Sequence, residues 1–67
     1  MVPLIYLSQS DHTDIVHVNC VKMAEITAER VTLRLLTEEG EALTVTRKRT
    51  PFIIFQLDGY GIEKIES

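Results

Sequence analysis

The 67-residue chain contains one cysteine, three glycines, two prolines, four aromatic residues and no tryptophan. A single thiol, Cys20, excludes a disulfide within the chain, so no covalent staple holds the fold. Glycine and proline are too sparse for a linker, no low-complexity tract occurs, and no long period repeats, which leaves one domain over residues 1–67. Long apolar runs are missing as well. The charge-free opening Met1–Ser10 follows no basic segment and is too short for a signal core or a membrane span. We therefore expect a cytoplasmic chain with no membrane partner, and the lone thiol fits a reducing compartment.

Hydrophobic residues supply 45% of the chain and charged residues 25%, which excludes a disordered tail. The folding margin is nevertheless thin. A chain of this mass hides roughly 60% of its unfolded surface, which at about 25 cal/mol per Å² of apolar area is worth on the order of 100 kcal/mol. Ordering its residues at about 1.5 kcal/mol each costs nearly the same. A well-paired sheet, a metal or a partner chain has to tip that balance.

Cations are few and unevenly placed. The net charge is −3, so the overall field opposes nucleic acid. Residues 1–46 hold three basic and seven acidic side chains, and the sole basic cluster is Arg47-Lys48-Arg49.

What is abundant is β-type alternation. Val31, Leu33 and Leu35 alternate with Thr32 and Arg34, and Ala42–Thr46 alternates again beyond Glu38-Glu39-Gly40-Glu41. Gly40 can supply the positive φ of a reversal, so the spacing predicts a hairpin. Ile15–Met23 is β-rich with apolar residues on both parities, and a bulge near Ala24 and Glu25 restores parity at Ile26. Residues 22–30 read as strand and turn, with a short helix as the competing assignment. Phe52–Leu57 holds five apolar residues in six after Pro51, which predicts a strand that is apolar on both sides, and Val2–Leu7 poses the same problem. The expected fold is all-β: a small antiparallel barrel or curled sheet of five to six strands with little or no helix. The strand and turn rhythm from His17 to Thr46 resembles that of small SH3-like or Sm-like barrels, a resemblance that implies an architecture and carries no functional residue across.

Several groups of residues have the atoms for chemistry without the spacing. Asp11-His12-Thr13-Asp14, with His17 and Cys20 downstream, contains metal-binding types, yet His17 and Cys20 are three apart on a strand and face opposite ways. No metal or other cofactor is expected within one chain, leaving His12, His17 and Cys20 open as ligands shared between copies. Ser8 and Ser10 lack a nucleophile elbow, and Cys20 in an apolar run reads as a small buried hydrophobe. Glu38, Glu39 and Glu41 read as a solvated hairpin tip. Gly59-Tyr60-Gly61 lacks the third glycine and following helix of a phosphate loop, and reads as a turn with Tyr60 on the sheet edge.

Two functional expectations follow. The first is a non-enzymatic interaction module that self-associates, with a dimer favoured, or binds a protein partner through an apolar strand face carrying Ile53, Phe55, Leu57, Leu4 and Tyr6. The alternative is a small β-barrel that binds nucleic acid through Arg47, Lys48 and Arg49 with Tyr60 as a stacking platform.

Overall fold

The computed structural model describes residues 3–67; the expected share of Val2 in the opening strand falls outside them. Strands β1 (Leu4–Ser8) and β2 (Thr13–His17) form an antiparallel hairpin in which Tyr6 lies opposite Ile15 and Leu7 opposite Asp14. A 3-10 turn over Val18–Cys20 then leads into β3 (Val21–Ile26). The run Ile15–Met23 is therefore two strands and not one. Next come β4 (Arg30–Leu36), β5 (Ala42–Lys48), the helix α1 (Pro51–Gly59) and the short β6 (Lys64–Glu66). The larger sheet has the order β5-β4-β3-β6, with β6 running parallel to β3 and the other pairs antiparallel.

The hairpin of β4 and β5 forms where the alternation places it. Val31, Leu33 and Leu35 are buried while Arg30, Arg34 and Leu36 are exposed. Gly40 has φ +88 and its N–H donates to the Thr37 carbonyl at 3.0 Å, closing the tip. Residues 22–30 are strand to Ile26 and then a tight turn in which Thr27 Oγ1 accepts from the Arg30 N–H at 3.0 Å. The expected bulge exists, but the register shifts between Val21 and Met23, so Lys22 is the extra residue and Ala24 and Ile26 both point inward.

The largest departure from the sequence reading is α1. Phe52–Leu57 is not a strand. Thr50 is extended and its Oγ1 accepts the Ile53 N–H at 3.3 Å, while Pro51 takes the first helical position, where its missing N–H costs nothing. At the other end Gly61 has φ +67, its N–H donates to the Asp58 carbonyl, and the Ile62 N–H reaches back to the Leu57 carbonyl at 3.1 Å. That pair of bonds is a Schellman closure with glycine at the left-handed position. Asp58 and Gly59 thus end a helix instead of opening a turn.

The core lies between the two sheets and α1. It consists of Ile5 and Leu7 from β1, Val21, Ala24 and Ile26 from β3, Val31, Leu33 and Leu35 from β4, and Ile53 and Leu57 from α1. Over the described residues the fold is small and mostly β, with six strands in two sheets and one α-helix. No ladder among the described residues joins the β1–β2 hairpin to the larger sheet, so the barrel does not close. Ile53 and Leu57 of α1 join the core instead.

Replacing the cap by Thr50→Ala should lower stability by about 1 kcal/mol, read as a fall in the urea midpoint at constant slope. An unchanged midpoint would mean that Thr50 caps no helix.

Candidate functional site

The helical period sorts the apolar run in a way that no strand could. Ile53, Gln56 and Leu57, spaced i, i+3 and i+4, turn into the protein. Phe52 and Phe55 are left on a neighbouring face that looks along β1. Ile53 and Leu57, expected at a binding surface, are core residues, because a helix turns them inward where a strand would have turned them outward.

What fixes α1 against β1 is the side-chain amide of Gln56. Its Oε1 accepts the Tyr6 N–H at 2.7 Å and its Nε2 donates to the Tyr6 carbonyl at 3.0 Å. A buried amide thereby gives the outer edge of β1 the two hydrogen bonds that another strand would have offered, and both partners are satisfied. Loss of one side would leave the other unpaired, at a cost of about 1–3 kcal/mol.

Around this clip lies a groove of about 300 Å³ lined by Leu4, Tyr6, Phe52, Phe55, Gln56, Gly59 and Tyr60. It gathers all four aromatic residues of the chain. None is in the core: Tyr6 is 41% exposed, Phe52 53%, Phe55 75% and Tyr60 43%. Ile15, paired opposite Tyr6 and exposed, extends the apolar surface across the hairpin. No lining residue is charged. At about 200 Å² per aromatic side chain, these exposures present roughly 400 Å² of aromatic surface, in the range where patches on small monomers carry function.

The sequence named Leu4, Tyr6 and Phe55 as surface residues, and all three meet here, with Leu4 half-buried. Tyr60, assigned from sequence to the sheet edge and the basic cluster, lies in the aromatic groove instead. Phe52, Gln56 and Gly59 were missed. Only a helical wheel drawn from the Thr50-Pro51 cap would have put Phe52, Phe55 and Gly59 on one side.

The basic cluster is divided. Arg47 is largely buried and ion-paired with Asp14 of β2, and its Nη1 donates to the Thr46 carbonyl at 2.9 Å. Arg49 donates to the Thr27 carbonyl at 3.1 Å. Lys48 and Arg49 remain exposed and line a shallow depression with Arg30, beside Glu29. The hydrogen bond from Arg47 is the main reason that the Asp14 carboxyl is held below the 3.8 of a free aspartate.

His12 sits in the β1–β2 turn with Nδ1 2.6 Å from Asp11 Oδ1 and Nε2 3.5 Å from Asp14 Oδ2. His17 and Cys20 line a separate depression beyond the far end of β2. Among the described residues no three of His, Cys, Asp and Glu stand together as a metal site, and no helix is long and apolar enough to cross a membrane. No protein-family model, curated protein or solved structure matches the chain.

A carboxyl held low by its partner stabilises the fold above the ordinary aspartate range, and that contribution is lost as the pH falls through the lowered value. Wild type should therefore lose stability in acid below about the free-aspartate pKa, and Asp14→Asn should flatten that part of the profile in urea melts. Parallel profiles for the two proteins would show that the Arg47 pair does not carry this linkage.

Proposed function

We propose that this chain is a non-enzymatic interaction module whose binding surface is the aromatic groove between β1 and α1. The observation that carries the reading is the exclusion of every aromatic side chain from the core and their collection in one uncharged groove. Aromatics are the side chains with most to gain from burial and the ones enriched at the centres of protein interfaces. A folded chain that leaves four of them about two-fifths or more exposed side by side has a surface suited to an apolar partner.

The groove also has a firm floor. Gln56 and Tyr6 are locked to each other, and Ile53 and Leu57 anchor α1 in the core, so the rings stand on rigid elements and lose little freedom on binding. The open edge of β1 beside it has Gln56 across its middle, so a partner engages side chains here more readily than it adds a strand.

Nucleic-acid binding draws less support. Arg47 is spent on Asp14, Tyr60 stands in the groove and not beside the cations, and the chain keeps its net negative charge.

The test is selection of peptides from a displayed library against the protein immobilised at low density. Enriched sequences should be rich in apolar and aromatic residues, and their binding should weaken at least about 30-fold in Phe55→Ser, the change that marks a hot spot. The same variant should melt within about 0.5 kcal/mol of wild type, because Phe55 is solvent-exposed. Peptides that bind Phe55→Ser equally well would refute the site. Salt-sensitive binding of a single-stranded oligonucleotide, abolished by Lys48→Ala with Arg49→Ala, would refute it in favour of the alternative.

A further inference from the structure

We infer that the free edge of β5 pairs with β5 of a second copy of this chain, antiparallel about a two-fold axis at Val45. This seam shares no residue with the aromatic groove, so it stands apart from the reading of the groove as a docking surface.

β5 is an end strand of the larger sheet, and among the described residues it forms a ladder with β4 alone. That ladder fixes which backbone groups are spare. The Thr37 N–H donates to the Glu41 carbonyl at 2.9 Å and the Arg49 N–H to the Glu29 carbonyl at 2.8 Å. Between these bonds the register runs unbroken, from Leu36 opposite Ala42 to Arg30 opposite Lys48. Antiparallel pairing alternates, so Leu43, Val45 and Arg47 direct their N–H and C=O groups at β4, and Ala42, Thr44, Thr46 and Lys48 direct theirs away from it. Among the described residues no backbone group takes these outward positions. The Thr46 carbonyl accepts Arg47 Nη1 and has a second lone pair to offer. Nor does the strand hold a proline, a glycine or a bulge that would blunt such an edge.

The occupant follows from charge. Glu38, Glu39 and Glu41 crowd the start of this edge, while Lys48 and Arg49, with Arg30 across the ladder from Lys48, crowd its end. All of them are exposed, and none has an ion-pair partner among the described residues. The cations share their depression with a single acid, Glu29. Roughly 25 Å of strand separates the acidic end from the basic end, so one chain cannot bring them together. An antiparallel copy does so at both ends of the seam, whereas a parallel copy would set like charge against like. The register follows from the same groups. Among two-fold pairings of the outward residues, an axis at Thr44 sets Glu41 opposite Arg47, which Asp14 already holds, and an axis at Thr46 sets it opposite Pro51. The axis at Val45 sets Glu41 opposite Arg49, Ala42 opposite Lys48 and Thr44 opposite Thr46. On the face that carries Val45 into the core, it also lays the exposed Leu43 diagonally against Val45 of the other copy.

Sedimentation velocity across a micromolar dilution series tests this. Wild type should sediment as a dimer that dissociates on dilution, and Phe55→Ser should leave that dimer intact. Thr44→Pro removes an outward N–H that β4 does not use, and should abolish the dimer. Glu41→Arg and Arg49→Glu should each weaken it about tenfold, and the two together should restore it, because the exchange rebuilds the pair with its signs reversed. Glu41→Arg keeps the falsifying power should Thr44→Pro unfold, since Glu41 is exposed beside the hairpin tip, and circular dichroism verifies each fold. Wild type that stays monomeric throughout, with or without affinity for extended peptides, would overturn the inference. So would a dimer that Thr44→Pro and Glu41→Arg leave undisturbed, one that the double exchange fails to restore, or one that Phe55→Ser dissociates. The groove is judged separately, by whether its peptides lose affinity for Phe55→Ser.

Discussion

The side-chain amide of Gln56, closed onto the backbone of Tyr6, is the constraint on which the arrangement of this molecule depends. It joins residues fifty positions apart and sets the rotation of α1 about its own axis relative to β1. With that rotation fixed, Ile53 and Leu57 face the sheets and Phe52 and Phe55 cannot. A roll of about 100°, the angle between successive residues on an α-helix, would bring Phe52 inward and turn Ile53 toward water. The clip thus decides which half of an apolar segment becomes core and which half becomes surface.

The division has an energetic consequence. The core is aliphatic throughout, ten side chains none larger than leucine or isoleucine. This aliphatic packing is joined by backbone pairing in two sheets and by a helix capped at both ends. The aromatics, which would have given the largest burial, are held in reserve on the outside. The Arg47–Asp14 pair plays a comparable part on the other flank, tying β5 to β2 where no ladder connects them.

How much of this was legible in the sequence differs by element. The β4–β5 hairpin was plain, because its alternation and Gly40 are local signals that local structure obeys. Residues 22–26 read as strand with a short helix in competition, because Met, Ala and Glu favour helix; the strand forms, with the bulge at Lys22. The helix was misread because five apolar residues in six satisfy a two-residue period and a helical one equally. The deciding evidence stood outside the run, in Thr50-Pro51 before it and Gly61-Ile62 after it, where N-cap, first-turn proline and left-handed glycine mark a helix from end to end. Of the groove, Leu4, Tyr6, Phe55 and Tyr60 carried a signal as apolar or aromatic residues with no clear cover. Gln56 carried none, since a glutamine acquires its role only when a strand from the far end of the chain arrives beside it.

Nuclear magnetic resonance of the isotope-labelled protein tests most directly whether α1 is a helix clipped to β1 through Gln56. In that arrangement the Gln56 side-chain amide protons should exchange slowly with solvent and show nuclear Overhauser contacts to the backbone of Tyr6. Rapid exchange like that of a free glutamine, or strand-type contacts along residues 52–57, would contradict it.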